Sequence, residues 1–255
     1  MAIGEMGSRE PEPNKADILT FDPDKDITGE DWEGMRNLLE KDKNGSILHF
    51  LEEVAAVKII NPNEDLKLDS VDLQDWSIKL QEARAGDIAH GGSSDLSSIF
   101  MAMKILKPKE DLKISSATWN AMRRNLEECR RQKQWGEFSS QAMEIKVLNP
   151  DEDLKLDPTA KEAMRKKLEE IRERLTEGSF SHSFSRQAMA MKILNPDEDL
   201  KLDQADWRGM RDRLDYSRRY KIGEDFILQA MKMKILVADK VVITGEGVEI
   251  TTPKR

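Results

Sequence analysis

The sequence predicts an all-α protein: an array of about five two-helix repeats, α-solenoid-like or a compact helical repeat, followed by a short C-terminal β-hairpin. Three observations carry this. A 15-residue motif recurs at near-regular spacing. Apolar residues after each copy follow the helical period, and the last segment changes to β-branched runs.

The motif reads MAMKILKPKEDLKIS at 101–115, MEIKVLNPDEDLKLD at 143–157 and MAMKILNPDEDLKLD at 189–203, with a diverged copy, AAVKIINPNEDLKLD, at 55–69. Its lysines fall at Lys58, Lys104, Lys146, Lys192 and Lys234, at spacings of 46, 42, 46 and 42 residues. A partial copy, DILTFDPDKDIT (17–28), keeps only the acidic loop, and MKMKIL (231–236) keeps only the helix. The repeat domain therefore spans 16–236, in units of approximately 16–60, 61–106, 107–148, 149–194 and 195–236. Residues 1–15 are expected to be a disordered tail, and 237–255 a hairpin cap and tail.

Within a unit, the first helix carries one apolar stripe: Trp119, Met122, Leu126 and Cys129, or Trp207, Met210, Leu214 and Ser217. Steps of 3, 4 and 3 residues place each set on one face. Asp69, Asp157 and Asp203 are positioned as N-caps, and Pro158 suits the first helical turn. The second helix is apolar on two sides. Counted from Phe138, Ala142 and Ile145 share its face, whereas Met143 and Val147 lie nearly opposite. Such a helix is expected to be packed from both sides. The segment KVVITGEGVEIT (240–251) reads as a hairpin covering the apolar face of the last unit.

The string NPDEDLKLD followed by a W-x-x-M-R helix resembles repeat-containing bacterial open reading frames of unknown function, over roughly residues 17–236. The resemblance implies no activity. Signature residues of tetratricopeptide, ankyrin and HEAT repeats are absent.

Composition narrows the function. The 255 residues are 35% charged, and no apolar run approaches a bilayer's thickness, so a membrane partner is not expected. The first residues lack the pattern of a secretory signal, and the single cysteine, Cys129, suits a reducing cytoplasmic compartment. Net charge is −12 over residues 1–100 and +4 over 101–236. Phosphate-binding, dinucleotide, nucleophile-elbow and zinc-protease motifs are missing. A non-enzymatic scaffold or adaptor that binds a protein or peptide, with no cofactor, is therefore the main expectation.

Two alternatives attach to particular residues. The loops place oxygen side chains at positions 1, 3 and 5, as a calcium loop does. Asp22, Asp24, Asp26 and Glu33, and Asn195, Asp197, Asp199 and Asp206, are the candidate ligands for Ca²⁺. Leucine or isoleucine at position 6, where that loop requires glycine, favours caps and turns instead. Basic residues such as Arg123, Arg130, Arg211 and Arg218 suggest a nucleic-acid partner, but Glu127, Glu128, Asp212 and Asp215 interleave with them, as on a solvated helix face. For a protein partner, the candidates lie in four-residue additions near 85–94 and 176–183: His90, Gly91, Gly92, Phe180 and His182. Alternate units carry the additions, which places both on one side of a regular stack.

Overall fold

The structure is a computed structural model that describes residues 21–43, 47–66, 73–85, 94–174, 182–244 and 247–251. The expected tail (1–15), Asp69, His90, Gly91, Gly92 and Phe180 lie outside them. The described residues contain a one-turn helix α1 (Pro23–Asp26) and five pairs of longer helices. An outer helix opens each pair: α2 (Gly29–Lys43), α4 (Leu73–Ala83), α6 (Ser116–Arg131), α8 (Pro158–Glu173) and α10 (Gln204–Arg219). An inner helix follows it: α3 (Ile47–Ile60), α5 (Ser94–Leu106), α7 (Trp135–Leu148), α9 (His182–Leu194) and α11 (Gly223–Leu236). Strands β1 (Lys240–Thr244) and β2 (Gly247–Thr251) pair antiparallel, with Val242 opposite Glu249.

The loop motif works as a helix stop and restart. Asn149, ahead of Pro150, leaves the helical region with φ −138° and ends α7. The motif lysine then reaches over the stop: the Nζ atoms of Lys58, Lys104, Lys146 and Lys192 donate to the carbonyls of Pro62, Pro108, Pro150 and Pro196. In Asp-Leu-Lys, the lysine turns left-handed, at φ 52°, 49° and 47° for Lys113, Lys155 and Lys201. A carboxylate two residues earlier accepts each of their N–H groups at 2.9–3.0 Å, which holds the turn. Asp157 and Asp203 then cap α8 and α10, accepting from Ala160 N–H (2.7 Å) and Asp206 N–H (2.9 Å).

Neighbouring units are joined by two repeated arginine contacts. One turn after the stripe's first residue, Arg36, Arg123 and Arg165 bond Glu64, Glu152 and Glu198 of the next loop at 2.6–2.8 Å. Near the end of the outer helix, Arg130 donates to Leu154 O, and Arg172 binds Asp206 with both ends of its guanidinium (3.0 and 2.7 Å). Arg130 and Arg172 also lie over the rings of Phe138 and Phe184, at 5.0 and 5.5 Å.

Both contacts occur again between the last unit and the first. Arg211 binds Asp26 (3.0 and 3.2 Å). Arg218 binds Asp31 (2.9 Å) and the Asp26 carbonyl (2.7 Å), and lies 5.2 Å above the Phe226 ring. Helix α3 packs on α5 and, through its other flank, on α11. The inner helices thus form a closed ring, α3–α5–α7–α9–α11–α3, surrounded by the outer helices.

Closure explains the two-sided inner helix. One side packs against the outer layer in a large core that includes Phe50, Phe100, Phe138, Phe184 and Phe226. The other side faces the ring axis, where Ile59, Met143, Val147, Met189, Ile193 and Ile235 form a second core. The hairpin belongs to that axial core: Val241 is buried in it, and Ile243, Val248 and Ile250 pack against it. It touches α5, α7 and α9, so it plugs the ring rather than covering the last unit alone.

Candidate functional site

The two ends of the ring differ. All five inner helices run in the same direction, and the hairpin closes the end at their C-termini. Three residues before each axial methionine position, the same faces present Glu52, Ser98, Ser140, Arg186 and Leu228 at the N-terminal end. Glu52, Ser98 and Leu228 are half-buried and Arg186 is exposed, so this mouth is open to solvent. One turn deeper lie Glu144 on α7 and Lys232 on α11, both buried.

Glu144 Oε2 accepts from the Ser97 hydroxyl, and its Oε1 lies 3.5 Å from the Arg186 guanidinium. Burial pushes the Glu144 carboxyl up to about 7, against the opposing effects of Ser97 and Arg186. Burial likewise brings the Lys232 ammonium down to about 7. Repulsion from Arg186 adds to this, and Asp225 opposes it. The mouth therefore has one exposed guanidinium above two buried groups that titrate near neutrality. Five helix N-termini surround them, and their dipoles favour negative charge. Chemically, the exposed Arg186 guanidinium at this end can bind a carboxylate or a carbonyl oxygen.

The candidate residues are distributed as follows. His182 begins α9 on the mouth's rim, and the addition in its unit falls between α8 and α9. Asp22 Oδ1 accepts from Asp24 N–H (3.1 Å), and Asp26 is engaged by Arg211. Asp199 holds the Lys201 turn, and Asp206 is buried against Arg172. Glu33 is exposed on α2, and Asn195 and Asp197 line a groove of about 1000 Å³ beside Lys161, Arg165 and Met191. One carboxylate of each acidic set is thus already held by an arginine, Asp26 by Arg211 and Asp206 by Arg172. No group of three or more His, Cys, Asp or Glu among the described residues is arranged to hold a metal ion. The arginines singled out for nucleic acid mostly join units, and Trp207 is buried in the core. Cys129 is buried too, and burial pushes its thiol up.

Sequence reasoning missed Glu144, Arg186, Lys232 and Glu53. The available signal was a charge inside the motif helix where the other copies have alanine: Ala56, Ala102 and Ala190 align with Glu144 and Lys232. Comparison of the chain with protein-family models, curated proteins and solved structures yields no match. No helix among the described residues is long and apolar enough to cross a membrane.

Proposed function

We propose that this protein is a non-catalytic scaffold that docks a protein or peptide partner on the open mouth of its helical ring. The observation that supports this reading is the asymmetry of the ring. The hairpin fills one end, while the other leaves Glu52, Ser98, Leu228 and Arg186 accessible to solvent around the axis. Burying Glu144 and Lys232 near the axis carries a desolvation cost that a fold using its axis only for stability could avoid. Near the rim the side chains of Tyr216, Tyr220 and Ile222 are exposed, adding apolar contact groups to the charge of Arg186.

A photo-crosslinking residue placed at Leu228, and separately at exposed Arg208 on the outer surface, tests this in source cells. The reading expects a discrete adduct from position 228, absent from 208 and lost on adding Arg186→Glu. Equal labelling from both positions, or none from 228, would contradict it.

A further inference from the structure

The junction that closes the ring departs from its neighbours in buried polar chemistry. Between units three, four and five, a serine one residue after the ring phenylalanine donates to a glutamine of the next inner helix: Ser139 to Gln187 (2.5 Å) and Ser185 to Gln229 (3.1 Å). Each glutamine then donates its amide to an outer-helix carbonyl, Met164 O or Met210 O (3.4 Å in both). At the junction of the last unit with the first, the equivalent positions are Ile227 and Glu53. The donor has gone, and a carboxyl stands where the amide was.

Glu53 is 1% exposed, and no donor meets either of its carboxyl oxygens among the described residues. The charged groups facing it are all acidic: Asp42 from α2, Glu52 beside it on α3, and Glu224 from α11. Asp42 itself occupies the fourth stripe position of its helix, where the later units have Cys129, Ile171 and Ser217. His49 Nδ1 lies 3.4 Å from Glu224 and so engages the outermost of these acids from the same junction. A carboxyl buried without a donor keeps its proton, because its charged form would be left without solvation. Burial and the charge of Asp42 hold that proton on Glu53 up to about pH 8.

We infer that the junction between the last and first units is a proton-operated seam: the ring is closed while Glu53 carries its proton, and it parts there when the proton is lost. Two of the other junctions use neutral serine–glutamine bonds at this level, and the buried carboxyl at a third, Glu144, differs from Glu53 in having the Ser97 hydroxyl and Arg186 as partners. The arginine contacts to Asp26 and Asp31 lie on the surface side of the seam and hold it in register.

Hydrogen exchange of the full chain, compared at each pH with Glu53→Gln, tests this because the intrinsic pH dependence of exchange cancels in the ratio. The variant restores the glutamine of the other junctions. Peptides from α2, α3 and α11 in the wild type are expected to exchange faster than in the variant, by up to about tenfold per pH unit between pH 6 and 8, then to level off. Peptides from α6 and α7, across the ring, should show a ratio near one. A ratio near one in the seam peptides at every pH overturns the inference. So does an equal rise in all peptides, which would mean general destabilisation. Asp42→Asn, which removes the neighbouring charge without altering Glu53, should reduce the seam's pH slope, and an unchanged slope would also count against the pair.

Discussion

Replacing Arg218 with alanine should destabilise the protein as much as replacing Arg172. Each guanidinium makes two bonds to an aspartate or carbonyl of the following unit and lies over a phenylalanine ring. Asp31 and Asp206, the partners, are nearly inaccessible to solvent, at 8% and 3% side-chain exposure. Removing the arginine therefore leaves a carboxylate shielded from water without its counter-charge. A charge-assisted hydrogen bond contributes about 1.5–3 kcal/mol. The ring contact adds about 0.5–1 kcal/mol. The arginines themselves are partly exposed, 35% for Arg218, which reduces the Coulombic share and brings the expected loss to roughly 2–3 kcal/mol. For a chain of this size, that lowers Tm by roughly 4–12 °C. Urea denaturation of Arg218→Ala, Arg172→Ala and a surface control, Arg131→Ala, provides the assay. Among the described residues Arg131 pairs with Glu128 on its own helix, and its removal should cost less than about 0.5 kcal/mol. If Arg218→Ala resembles the surface control while Arg172→Ala does not, the last and first units are not joined in solution and the ring is open.

Four further outcomes are expected. Truncation after Leu236 uncovers the axial core that Val241, Ile243, Val248 and Ile250 pack against; at about 1.5–3 kcal/mol per fully buried aliphatic side chain, Tm should drop sharply and a hydrophobic dye should bind, whereas an unchanged melt would make the hairpin an appendage. For Glu144, a carboxyl raised to about 7 binds its proton more tightly in the folded state, so its contribution is full below about pH 4.5 and is lost as pH rises to about 7; Glu144→Gln should flatten that part of the urea stability profile. Lys232, lowered to about 7, acts in the opposite direction, with stability rising from about pH 7 to 10.5, and Lys232→Met should remove that rise. Millimolar Ca²⁺ should leave Tm nearly unchanged, because Asp26 and Asp206 are held by arginines; a saturable rise abolished by Asp199→Ala would establish a calcium site.

Much of this architecture was legible because it is periodic. The 42- and 46-residue spacings, the Trp119–Cys129 stripe and the two-sided inner helix all report local burial, which repeats with the chain. Closure was harder to see, because it depends on the rotation between successive units, about 72° for five. That angle is set by side-chain packing at each junction and leaves no period of its own. One clue was available: Arg211 and Arg218 keep the register of Arg165 and Arg172 although no sixth unit follows, while the partial first copy keeps Asp26 and Asp31. Arginines at the end of an open stack would have nothing to bind. The mouth was legible only in part. His182 could be placed from its loop, but Glu144 and Lys232 are single charges within helices that otherwise read as core, and their meaning depends on where the axis runs.

The bonds that complete the circle join residues 185 to 192 positions apart. The other main helix–helix contacts form between units adjacent in the chain, so folding can spread from one hairpin of helices to the next at low entropic cost, with the β-hairpin's contacts to α5 and α7 added afterwards. Joining the ends is different. The first unit must wait, with the flank of α3 that receives α11 still wet, until the last helices have been synthesised and folded. Refolding should therefore show a fast phase in helix formation and a slower one in burial of that flank. At high protein concentration during the slower interval, the waiting first unit of one molecule can accept the last unit of another, and the product is a domain-swapped dimer built from the same contacts.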